Sequence, residues 1–130
     1  MVSDERALLE AFERCTIDPF HHRDHVHVVW SYLQQMPLFE ALERFRAGLR
    51  RFAEHHGKPG LYHETITCAY VMLVHERMAA HPQDSWEAFC RDNPDVLSWR
   101  PSVLDRYYRP ETLASELARR VFILPDASLH

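Results

Sequence analysis

Three histidines, His22, His25 and His63, are the residues of this chain best placed by type and spacing to do chemistry. A neutral imidazole is a good ligand for zinc, copper, nickel or iron, and three protein nitrogens leave one coordination position open for water or a substrate. The chain holds ten histidines in 130 residues, several times the usual share. They cluster at His21 to His27, at His55 and His56, and at His63.

Helical geometry decides which of them share a face. At 100° per residue, Val26, Val29, Trp30 and Leu33 form one stripe, with His22 inside it and His25 at its flank. Two imidazoles three residues apart are close enough to share an ion. His21 is borderline, and a shift at the helix start would make His21 and His25 the pair. Asp24 and His27 point largely away. In the next histidine-bearing helix, Ile66, Ala69, Tyr70 and Leu73 define the buried face, His63 sits beside it and Thr67 follows one turn later. The spacing therefore predicts a metal held by His22, His25 and His63, with His21, Asp24, Thr67 and Tyr70 as supporting groups.

Glu64 adjoins His63 and is a candidate general base or fourth ligand, although the helix wheel turns it outward. His63-Glu64-x-x-Thr67 is close to the zinc-protease pattern H-E-x-x-H, but threonine replaces the second histidine, so a peptidase reading loses its paired ligands. His25-Val26-His27 could form an H-x-H strand, yet no other segment supplies partner strands. Tyr107-Tyr108-Arg109-Pro110 precedes a helix and could orient a carboxylate or phosphate there, with Tyr108 a candidate proton carrier. The remaining histidines have plainer roles. His55 and His56 suit the negative end of a helix, His75 faces outward, and His81 and His130 are incidental.

The elements that must position these groups read as helices. Ser3 caps a helix to about Cys15, and Pro19 opens a second running to Gln35. A third covers Leu38 to His55, with Leu42, Phe45, Leu49 and Phe52 inward and Gly57 as its stop. After Lys58-Pro59-Gly60, a long helix from Tyr62 to Ala80 is apolar on most of its circumference and is expected at the centre. Asp84-Ser85-Trp86-Glu87 opens a short helix to about Arg91, and a further short piece lies between Pro94 and Pro101. A last helix is expected from Glu111 to Val121, with Leu113, Leu117 and Val121 inward, and Trp86 and Trp99 are assigned to the core. The expected fold is all-α, one bundle of five to six helices over residues 1–130, with no internal repeat.

Phe20-His21-His22-Arg23-Asp24-His25 with Trp30-Ser31-Tyr32-Leu33, Gly60-Leu61-Tyr62-His63-Glu64-Thr65-Ile66-Thr67, Asp105-Arg106-Tyr107-Tyr108, and Ala118-Arg119-Arg120 with Pro125-Asp126 resemble a group of small bacterial proteins that carries no assigned activity. The resemblance spans most of the chain. It implies that His22, His25, His63 and Thr67 occupy motif positions, with His21 and His27 less typical of the pattern.

Composition narrows the rest. A formal charge of −4 argues against general nucleic-acid binding, and the patch Arg44, Arg46, Arg50 and Arg51 reads as a solvated helix face. No apolar run approaches membrane-spanning length and the first residues lack a signal-peptide layout, so a cytoplasmic location away from membranes is expected. Cys15, Cys68 and Cys90 are odd in number and widely spaced, which points to reduced thiols. The functional expectation is a small metal-binding protein, a metalloenzyme acting on a small polar metabolite through a histidine-held divalent transition metal. One alternative is a metal-binding or interaction module without chemistry, its site closed by Glu64 or His21, and another is a helical protein-interaction partner whose histidines are structural.

Overall fold

A computed structural model describes residues 4–127. The Ser3 cap and His130 therefore lie outside the described residues. Every regular element among them is helical, as the apolar periodicity predicts. Four long helices build the frame: α1 (Asp4–Glu13), α2 (His22–Gln35), α3 (Leu38–His55) and α4 (Glu64–Ala80). Four short ones follow, α5 (Trp86–Asp92), α6 (Pro94–Leu97), α7 (Pro110–Leu113) and α8 (Glu116–Arg120). Single 3₁₀ turns at Pro59–Leu61 and Val103–Arg106 complete the chain. No helix is long and apolar enough to cross a membrane among the described residues.

α4 lies at the centre, packed against α2, α3 and α8. Its buried residues, among them Thr65, Cys68, Val71 and Val74, fall on several faces because neighbours surround it. Val71 and Val74 are fully buried, and each such side chain contributes about 1.5–3 kcal/mol relative to exposure. α1 crosses α3 closely at Gly48, where a Cβ atom would stand 2.4 Å from Cε2 of Phe12. The Phe12 ring is fully buried there and stacks on Phe45 at 5.6 Å between centroids.

Several boundaries differ from expectation for local reasons. α2 starts at His22, not Pro19, because His21 is extended and its N–H donates to the Asp24 carboxylate at 3.0 Å, fixing the first turn. The helix expected from Glu111 to Val121 is broken in two. The Ser115 hydroxyl donates to the Thr112 carbonyl at 2.7 Å and accepts from Ala118 N–H at 3.1 Å, so it ends one turn and caps the next. As a result Ala118 is buried, while Leu117 and Val121, expected inward, are 52% and 42% exposed. Trp86 is in the core as expected, but Trp99 is 45% exposed.

The segment after α8 is bound back onto the bundle. Thr65 Oγ1 donates to the Val121 carbonyl at 2.7 Å and accepts from Ile123 N–H at 3.0 Å, and the Tyr108 hydroxyl donates to the Ile123 carbonyl at 2.7 Å. The three cysteines are free, Cys15 and Cys68 buried and Cys90 half-buried.

Candidate ligand-binding cavity

The starts of α2 and α4 face one another across a cavity of about 740 Å³, and His22, His25 and His63 all line it. The three histidines singled out by the sequence therefore share one cavity wall. Their nitrogens, however, differ in what they already hold.

His63 is the N-cap of α4. Its Nδ1 accepts from Ile66 N–H at 3.1 Å, which puts the ring proton on Nε2, and Nε2–H donates to the Leu113 carbonyl at 2.8 Å. Both ring nitrogens are therefore taken up in joining α4 to α7. Thr67, one turn on, is buried and donates to the His63 carbonyl at 2.7 Å.

His22 lies in the first turn of α2, with Nε2 2.9 Å from the Val96 carbonyl. That bond assigns its proton to Nε2 and leaves Nδ1 as an acceptor. Its ring packs against Tyr70 and Trp99 at centroid distances of 4.8 and 5.1 Å. Burial pushes the His22 pKa down, with the Val96 bond opposing.

His25 stands one turn further on and is different. Its ring stacks on Phe20 at 4.0 Å and meets the edge of Phe45 at 6.5 Å, yet neither nitrogen has a hydrogen-bond partner among the described residues. Burial, reinforced by the nearby His22 and opposed by Asp24, lowers its pKa to about 4. The imidazole is therefore neutral at physiological pH, with one N–H donor and one acceptor lone pair.

Among the described residues, no three His, Cys, Asp or Glu side chains form a group that could hold a metal ion. Of the expected supporting groups, Tyr70 lines the cavity with its hydroxyl bonded to Ser102 Oγ at 2.9 Å. His21 is exposed at the cavity edge, and Asp24 serves the start of α2.

The two residues expected to carry protons stand elsewhere. Glu64 does not line the cavity. Its carboxylate accepts from Arg46 Nη2 at 2.6 Å and Nε at 3.1 Å, and from the Tyr62 hydroxyl. Burial alone would raise its pKa, but these hydrogen bonds outweigh it and hold the carboxyl below its ordinary range. Arg46 is accordingly tied inward instead of lying on a solvated face. Tyr108 is buried outside the cavity, occupied by Ile123. The carboxylate expected near Arg109 is the chain's own: Asp126 accepts from Arg109 N–H at 3.0 Å and from Thr112 Oγ1.

The rest of the cavity wall is mainly aromatic and aliphatic. Phe20, Phe52, Ile66 and Trp99 contribute, with Asp18 and Lys58 among its lining residues. Sequence reasoning missed Phe20 and assigned Trp99 to the core. Phe20 sits between the Pro19 break and the histidine run, a position that signals entry into a helix but not a cavity wall. His56, expected to be structural at the end of α3, also lines the cavity and packs on Phe52 at 4.4 Å. His27, expected to point away, stacks on Trp86 at 4.2 Å and lies 3.3 Å from Glu5. Comparison with protein-family models, with curated proteins and with solved structures gives no match for this chain.

Proposed function

We propose that the cavity binds a small, flat, largely apolar organic molecule and that His25 engages its one polar edge. The observation carrying this reading is a neutral, half-buried imidazole with no hydrogen-bond partner among the described residues, facing about 740 Å³ of mainly apolar space. A cavity of that size suits a small organic ligand, and a few placed polar groups in an apolar wall fix its orientation. Stacked on Phe20, the imidazole presents its nitrogens from a fixed ring plane. A base titrating near 4 removes protons poorly at neutral pH, so His25 acts as a hydrogen-bonding group and not as a general base.

Naphthalene and 2-naphthol test the reading, because they share a ring system and differ by one hydroxyl. By calorimetry, 2-naphthol should bind the wild type about three- to tenfold more tightly, the value of one hydrogen bond. His25→Phe should keep naphthalene binding and lose the preference. Equal affinity of the wild type for the two compounds, or no binding of either, would overturn the proposal.

A second reading retains a metal, supported by the neutral states of His22 and His25 three residues apart on α2. In this reading His22 Nδ1 and His25 supply two nitrogens to a zinc-like ion and a ligand or water completes its shell. Zinc titration should then give binding lost in His22→Ala and His25→Ala but kept in His63→Ala. Equal zinc affinity in the wild type and all three variants would remove the metal.

A further inference from the structure

A second concavity of about 400 Å³ lies between the last turns of α3, the Pro59–Leu61 turn and α8. Arg50, Arg119 and Arg120 line it together with Glu54, Pro59 and Tyr62. Three arginines thus border one concavity in a chain whose formal charge is −4. Like charges brought together repel, and an anion between them relieves that repulsion.

The arginines are held in different ways. Arg50 lies over the Tyr62 ring at 4.8 Å, and its guanidinium has no hydrogen bond or ion pair among the described residues. Tyr62 is buried and fixed by its hydrogen bond to Glu64, so the platform under Arg50 is rigid. Arg119 is tied through Nε to Glu116 at 3.0 Å and through Nη1 to the Gly60 carbonyl at 3.3 Å. Arg120 reaches the same Glu116 only at 4.0 Å. Glu116 thus satisfies Arg119, while the guanidiniums of Arg50 and Arg120 keep most of their donors.

We infer that this cleft is a binding site for a phosphate dianion, free or as a soluble phosphate monoester, with Arg50 and Arg120 as its principal donors and Arg119 as a positioned third charge. Planar guanidinium groups bind phosphate oxygens in pairs, and one already stacked on an aromatic ring loses little freedom in doing so. Glu54, the one carboxylate in the lining, opposes an anion there but is outnumbered by the three arginines. The inference does not depend on the cavity proposal: Tyr62 borders both concavities, but Arg50, Arg119 and Arg120 line this cleft and not the cavity, and His25 is no part of it.

The test is calorimetric titration of the full chain with inorganic phosphate and with phenyl phosphate at constant ionic strength, with acetate as the monoanion comparison. Phosphate and phenyl phosphate should bind, acetate at least tenfold more weakly. The phosphate Kd should rise at least tenfold in Arg50→Met and in Arg120→Met, and hold in Arg91→Met on α5 and in His25→Phe. Circular dichroism of each variant checks its folding, and Arg50→Lys, which keeps the charge but not the fork, should also weaken binding. Absence of phosphate binding by the wild type, or equal binding by the Arg50, Arg120 and Arg91 variants, would overturn the inference. So would binding to phosphatidate-containing vesicles, lost in Arg50→Met, without binding of either soluble phosphate, because it would assign the cleft to a lipid surface.

Discussion

His25 takes up a proton near pH 6.5 when the chain is unfolded, whereas in the fold it does so only near 4. Between these values the unfolded state binds more protons. His25 therefore contributes fully to stability above about pH 6.5, and that contribution falls as pH drops towards 4, by on the order of 3 kcal/mol in all. His22, lowered in the same direction by burial, adds to the effect, and Asp24 opposes it. Urea unfolding of the wild type at pH 7 and pH 4.5 should show a loss of stability that His25→Phe reduces, the remainder coming from His22 and other groups; an unaltered pH dependence in the variant would contradict a neutral His25. Glu64 invites a different expectation. Glu64→Gln removes the more buried of the two carboxylates that pair with Arg46 and leaves it only the exposed Glu43 at 3.1 Å, which should lower stability by about 1–3 kcal/mol while leaving the naphthalene affinity of the cavity unchanged. Thermal melting and calorimetry on that one variant check both parts. The sequence identified Glu64 as chemically special but could not show the partner, since Arg46 lies 18 positions away on another helix.

Among the elements, those bounded by strong local signals were legible and those settled by tertiary contacts were not. α3 runs from Leu38 to His55 as its periodicity predicts, and Gly57 follows with φ of 71°, a conformation glycine adopts without strain. α4 begins two residues later than expected because the His63 side chain turns back onto Ile66 N–H, a capping role more often taken by Ser, Thr, Asp or Asn. Removing that cap in His63→Ala, which also leaves the Leu113 carbonyl without its donor, should lower stability by about 1–2 kcal/mol, read as a shifted urea midpoint. Gly48 is a second element-scale feature hidden in sequence, where a lone glycine inside a helix has no visible reason. Gly48→Ala should destabilise by about 1–3 kcal/mol despite its better helix propensity, since the added methyl meets the Phe12 ring. A neutral or stabilising result in thermal melting would mean that the α1–α3 crossing relaxes freely.

At the scale of the whole molecule, the packing of α2 against α4 turns two histidine-bearing helix starts into the wall of one cavity. That convergence was legible, because the apolar stripes of both helices place His22, His25 and His63 on or beside their inward faces. What the ring nitrogens do there was not legible. It depends on the Val96 and Leu113 carbonyls, 74 and 50 positions from the histidines they hold, which occupy His22 Nε2 and His63 Nε2, whereas His25 has no hydrogen-bond partner among the described residues. The aromatic wall depends equally on Trp99, which reaches the cavity from beyond α6. The most direct test of a ligand cavity organised by a neutral His25 is the ring ¹⁵N spectrum of the histidines at pH 6, recorded alone, with naphthalene and with 2-naphthol. The His25 nitrogens should show a neutral ring in all three spectra and should shift further with 2-naphthol than with naphthalene. A protonated His25 at that pH, or His25 nitrogens that respond to neither compound, would contradict the account.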